Sequence, residues 1–184
     1  MNSGVIASRY AKALLKYADE AGAGDKVYSQ ACVLALRLME VRQLRDFVEI
    51  HPELSADRKL DLLGSALGED LAPELVAFVR LVSAGRRMEF FSRMLYHFIA
   101  LYRSAHNMKV GRVVTAVPVA GLKEKLETLL RERTGADIQV YEKINPDILG
   151  GFIFEMDGYR LDASVENQFR KIRRQLIEKN NRIV

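Results

Sequence analysis

The side chains of this 184-residue chain best equipped for chemistry are three histidines, one cysteine, a glycine pair and scattered carboxylates. His51, His97 and His106 stand at spacings that make no metal triad, and no HExxH or cysteine cluster accompanies them. They read as surface or loop histidines. Cys32 is alone, which excludes an intramolecular disulfide and leaves no cysteine pair for zinc; it reads as a small apolar helix residue. Gly150-Gly151 lies outside any GxGxxG or GxxxxGK[ST] pattern, so it reads as a tight turn or a close backbone approach before a strand. Asp57, Asp61, Glu69 and Asp70 sit near helix starts, where carboxylates cap and complement the helix dipole. The census yields no catalytic dyad, no metal site and no cofactor site.

Composition narrows the class. Apolar residues make up 49% and charged residues 28%, the balance of a soluble globular protein rather than a disordered tail. A net charge of +4 is too weak, with acidic residues interspersed, to argue for nucleic acid by itself. Its distribution says more. Arg86, Arg87, Arg93, Arg103, Lys109 and Arg112 face only Glu89 in their stretch, and Arg170, Lys171, Arg173, Arg174, Lys179 and Arg182 form a second cluster. The terminal cluster is either a solvated helix face or a complement to an acidic partner. A basic nucleic-acid-binding module is the alternative class, but no RRM, KH or zinc signature appears and only Phe169 interleaves the terminal cations. The opening residues carry no signal or transit pattern, and no stretch approaches a membrane span, so a cytoplasmic or peripheral location is expected.

The elements change period once, near residues 104–110. Before that the apolar spacing is helical and predicts six helices: about Gly4 to Ala21 with Ser3 as cap, Asp25 to Val41, a short third through Phe47, Ser55 to Ala66, Pro73 to Gly85, and Met88 to Ala105. Short polar loops make that a compact antiparallel bundle. Beyond it the chain predicts a strand over Val110–Val117 and a helix with Leu122, Leu126, Leu129 and Leu130 that stops at Gly135. A strand at Ile138–Tyr141 follows, then a hairpin about Asp157-Gly158 and a last helix capped by Ser164. The fold class is α+β: a six-helix bundle over residues 1–106, then a small βαβββα domain over 107–184.

Two helices carry more apolar residues than one buried stripe needs. On the first, Ile6, Ala7, Tyr10, Ala11, Ala13, Leu14, Leu15, Tyr17 and Ala18 cover roughly 200° of the wheel, against the ~100° stripe of a surface helix. On the fifth, Leu71, Leu75, Val76, Phe78, Val79, Leu81 and Val82 surround an axis on which Arg80 is nearly the only charge after Glu74. Either these are the inner pair, covered on all sides, or each leaves one face open for a partner helix. Ala11 and Ala13 favour the open face, since small residues admit a close approach.

These residues also resemble a known family. Ala7-Ser-Arg-Tyr10-Ala-Lys-Ala13-Leu-Leu is similar to the first helix of ATP synthase delta subunits, and Ser83-Ala-Gly85-Arg86 to the turn into their sixth. Ile144-Asn-Pro-Asp-Ile148-Leu-Gly150-Gly151-Phe-Ile-Phe with Asp162-Ala-Ser164-Val165 resembles their Gly-Gly signature and helix start, with Ala163 standing where glycine is usual. The match is collinear over the whole chain. The resemblance implies a non-catalytic stator subunit at the cytoplasmic face of a bacterial inner membrane, attached only through its complex. It implies an N-terminal helix of an alpha subunit docked between the first and fifth helices, on Tyr10, Ala13, Leu14, Tyr17, Leu75, Phe78, Val79 and Val82. It also implies that the second domain meets the C-termini of b subunits, for which Phe169, Arg173 and Leu176 are the candidates, and that no nucleic acid is bound.

Overall fold

The computed structural model describes the backbone of residues 3–180 and the side chains of residues 4–174. The chain divides into two units, Met1–Ala105 and His106–Val184. The first holds α1 (Ser3–Glu20), α2 (Gly24–Glu40), α3 (Arg42–Glu49), α4 (Ala56–Leu67), α5 (Pro73–Ala84) and α6 (Phe91–Ala105), with a single 3-10 turn, Met88–Phe90, leading into α6. Helix α1 lies chiefly against α6 and touches α5 and α2. Its inner face is small: Ala7, Ala11 and Ala18 have no exposed surface, and Leu14 almost none. Ala11 therefore packs into the core, not toward an open face.

Local chemistry explains most helix ends. Ser55 accepts from the backbone N–H of Arg58 at 3.3 Å as the N-cap of α4. Pro73 opens α5 at the position where its missing N–H costs nothing. Two ends differ from expectation. Asp25 lies inside the first turn of α2 and makes no cap there; its carboxylate instead accepts from the hydroxyl of Tyr102 at 2.8 Å. That bond, with burial, pushes the Tyr102 pKa far above the ordinary phenol value. Gly85 has an ordinary helical φ of −73°, and the left-handed residue that ends α5 is Arg86, at φ 51°. The backbone N–H of Arg86 reaches Ser83 and that of Arg87 reaches Val82, the Schellman pattern. Gly85 is small for another reason: a Cβ there would lie 2.9 Å from the Tyr10 hydroxyl. Ser3 is the first residue of α1, and its expected capping side chain lies outside the described residues.

The second unit is β1 (Met108–Thr115), α7 (Leu122–Thr134), β2 (Asp137–Ile144), β3 (Phe152–Met156), β4 (Tyr159–Asp162) and α8 (Val165–Asn180). The sheet order is β2-β1-β3-β4. β1 and β2 are parallel, Met108 opposite Asp137 through Thr115 opposite Ile144, so they need the α7 crossover. β3 is antiparallel to β1 with Val113 opposite Phe154, and β4 follows through the Asp157-Gly158 turn. Both turn residues have positive φ, 51° and 81°, as a type I′ hairpin requires. Leu122, Leu126 and Leu130 of α7 cover Val113, Ile138 and Val140 on one sheet face.

Gly151 joins β3 to the start of α8 under two constraints at once. Its φ is 72°, and a Cβ would lie 2.3 Å from the carbonyl oxygen of Ala163. Ala163 is not among the residues of positive φ, so its replacement of the usual glycine costs no strain. Gly158 has a similar φ of 81° with nothing near its Cβ position. Gly158→Ala is thus expected to cost about 1 kcal/mol, the left-handed penalty alone. Gly151→Ala, which adds a backbone clash, should cost at least twice that in urea denaturation followed through the second unit.

Candidate partner-binding groove

The flank of α1 next to its core face carries Ile6, Tyr10, Ala13 and Tyr17, at successive steps of four, three and four. Tyr10 joins it to α5: its ring meets Phe78 edge-on at 6.4 Å, its hydroxyl lies over Gly85, and the Arg87 guanidinium sits 5.8 Å above it. On α5, Leu75, Phe78, Val79 and Val82 are core, each stabilising the unit by about 1.5–3 kcal/mol. The outward side of α5 is Ala77, Leu81 and Ala84, stepped four and three.

The structure therefore divides the eight sequence candidates. Ala13 and Tyr17 are exposed and Tyr10 is half-buried, all on one strip. Leu14, Leu75, Phe78, Val79 and Val82 lie beneath it in the core and present no free surface. Leu81, which was not among the candidates, is 54% exposed and Tyr17 47%. The two helices are consequently not an inner pair covered on every side. Leu81 could have been picked from the sequence by its step of four from Ala77, had the core arc of α5 been fixed first.

What fixes α5 is a buried polar residue. Gln30 of α2 donates to Glu69 Oε1 at 2.8 Å and to the Asp70 carbonyl at 3.0 Å, and accepts from the backbone N–H of Ala72 at 2.8 Å. Ala72 is the residue that precedes α5. Toward α4, Arg80 pairs with Asp57 at 3.1 Å, but both are largely exposed and the pair adds little. Glu74, in the first turn of α5, is buried where the helix N-terminus favours a carboxylate, and its Oε2 has no hydrogen-bond partner.

In the second unit α8 starts on a tight polar cap. Ser164 Oγ donates to Asp162 Oδ1 at 2.6 Å and accepts from the Asn167 N–H at 3.2 Å. The Ser164 hydroxyl and the Ser164 backbone N–H, which also donates to Asp162 Oδ1 at 3.1 Å, hold the Asp162 carboxyl below the usual carboxylate range, with Arg160 assisting. Beyond the cap, Phe169 (63% exposed) and Ile172 stand open with Arg173. The side chain of Leu176 lies outside the described residues.

Much of the cationic stretch is engaged internally. Arg103 donates to the Tyr28 hydroxyl at 2.8 Å, Lys109 pairs with Asp157 at 2.8 Å, and Arg112 pairs with Glu155. That last contact holds Glu155 below the usual carboxylate range. Among the described residues no group of His, Cys, Asp and Glu could hold a metal ion, and no helix is long and apolar enough to cross a membrane.

The first unit thus exposes apolar residues of α1 and α5, and the second is a small α/β unit whose last helix opens with Phe169 and Ile172 exposed. The sequence model of the ATP synthase delta (OSCP) subunit family matches residues 6–176. ATP synthase subunit delta of Phocaeicola vulgatus is 44% identical over 186 residues, covering all of both chains. That of Bacteroides fragilis is 35% identical, again over all of both chains, and that of Azorhizobium caulinodans 30% over 94% of each. A chain of the Toxoplasma gondii mitochondrial ATP synthase hexamer shares the fold, with a TM-score of 0.63 at 21% identity over 93% of this chain and 97% of that one. The chain belongs to the ATP synthase delta (OSCP) family: it is a structural subunit of the F-type ATP synthase, not a catalytic one.

The cap on α8 gives a pH signature. The Asp162 carboxyl titrates lower folded than unfolded, so its contribution is complete above the unfolded value of about 4 and fades as pH falls toward the folded one. Asp162→Asn should speed amide exchange in the first turn of α8 at pH 7. The difference from wild type should shrink steadily once the pH drops below about 4.

Proposed function

We propose that this chain is the joint of the synthase stator, tying the catalytic head to the peripheral stalk so that the head resists the torque of the rotor. The observation that carries this reading is the open strip formed by Tyr10, Ala13 and Tyr17 with Ala77, Leu81 and Ala84. Its apolar character suits one amphipathic helix. The occupant is the N-terminal helix of an alpha subunit. Leu14, Leu75, Phe78, Val79 and Val82 contribute as the packed floor that keeps the strip in shape. Small residues at Ala13, Ala77 and Ala84 admit close backbone approach, and Tyr17 and Leu81 supply anchors.

The second unit takes the C-termini of the b subunits, with Phe169, Ile172, Arg173 and Leu176 on the docking face of α8. Basic residues there steer an acidic partner and set its orientation more than its affinity. The subunit is peripheral, on the cytoplasmic face of the bacterial inner membrane, and reaches the membrane only through its partners. Since all contacts act in one assembly, each gains effective concentration from the others.

Calorimetry with a peptide from the N-terminus of the cognate alpha subunit tests the head-side contact. Leu81→Asp should weaken binding at least tenfold while changing stability by no more than about 0.5 kcal/mol, because Leu81 is exposed. Phe78→Ala, by contrast, should cost about 3–5 kcal/mol of stability, because it empties the floor. Wild-type protein that ignores the peptide, or a Leu81→Asp variant that binds as well, removes the groove from the reading.

A further inference from the structure

A cleft of about 690 Å³ opens where the loop between α3 and α4 meets the C-terminal end of α5. That volume is within the range of small-molecule sites, roughly 300–1,000 Å³. It is a different surface from the partner strip: Ser83, which lines it, is two residues and so about 200° around α5 from Leu81.

Its polar groups are unevenly satisfied. Lys59 of α4 is only 3% exposed, and its ammonium has no hydrogen bond or ion pair among the described residues. Burial draws its ammonium pKa below the ordinary value, and the charge of Glu53 opposes that. Ser83 Oγ is buried and has no partner either. The carboxylates of the cleft are better placed. Glu49 Oε1 accepts from the Ser92 N–H at 2.7 Å, Glu53 is held by His51, and Glu89 faces solvent. The cleft therefore offers a buried hydroxyl without an acceptor, at Ser83, and an ammonium, at Lys59, that feels the Glu53 charge but is hydrogen-bonded to no anion. Arg86, on the rim, holds a left-handed φ of 51° where glycine would be unstrained. The rest of the wall is apolar: Ile50, Pro52, Leu54 and Met88.

We propose that this cleft binds a small aliphatic carboxylic acid, its carboxylate accepting from Lys59 Nζ and Ser83 Oγ with Arg86 at the rim and its chain against Ile50, Leu54 and Met88. Inorganic phosphate would answer the donors but leave the apolar wall uncovered. Nothing in the proposal depends on what occupies the α1–α5 strip.

Amide NMR of the full-length chain, titrated with hexanoate and separately with inorganic phosphate, tests it. Hexanoate should give saturable shifts centred on Lys59, Ser83 and Arg86, with phosphate at least tenfold weaker. Lys59→Met keeps the buried stem and removes the ammonium, so it should keep a dispersed spectrum and lower hexanoate affinity at least tenfold. Ser83→Ala should lower it severalfold. Shifts that rise linearly without saturating, or an affinity unchanged in both variants, overturn the site. Phosphate binding as tight as hexanoate overturns the aliphatic part of the assignment.

Discussion

Three hydrogen bonds of one buried glutamine decide where α5 begins, and with it where the outward face of that helix lies between α4 and α1. Gln30 spends both its amide and its carbonyl on the α4–α5 connection, at Glu69, Asp70 and Ala72. A buried side-chain amide is tolerable only when fully paired, and then it specifies one arrangement where a methyl group would accept several. Apolar burial alone leaves an all-apolar helix free to slide or rotate against its neighbours, since every face is acceptable to the core. The glutamine removes that freedom at one end. At the other, Tyr10 and Gly85 meet closely: a Cβ at residue 85 would lie 2.9 Å from the hydroxyl and displace it.

The alanines of α1 complete the placement. With Ala7, Ala11 and Ala18 against its neighbours, α1 can sit close to α6 and still touch α5. The strip is thus a by-product of close packing on the adjacent face. Its apolar residues are uncovered because the core arc is narrow, not because the core is badly filled.

The sequence carried the architecture well where the signals were local. The Asp157-Gly158 turn, the Ser55 cap, the Gly135 stop and the single change of period near residue 108 each depend on a few neighbouring residues, and each lies where expected. It misled where a residue answers to something far away in the chain. Asp25 looks like a cap but is claimed by Tyr102, and Gly85 looks like a left-handed stop but is claimed by Tyr10. The same limit governed the candidate surface. An amphipathic helix shows its core arc by contrast with polar residues, and α5 offers almost none. Its buried Leu75, Phe78, Val79 and Val82 and its exposed Leu81 are therefore alike in sequence. Only the position of Tyr10 against Phe78 orients the wheel.

That orientation bears on how such a surface can transmit force. A strip held by loops would comply when a docked helix is pulled, and part of the binding free energy would go into ordering it. Here the start of α5 is held by Gln30, its middle by the packing of Phe78, and its end by Tyr10 and the Schellman turn at Arg86. The outward residues Ala77, Leu81 and Ala84 lie between those fixed points on regular helix. Their relative positions are set by these contacts, so the proposed docking surface is preorganised and backed by the packed core.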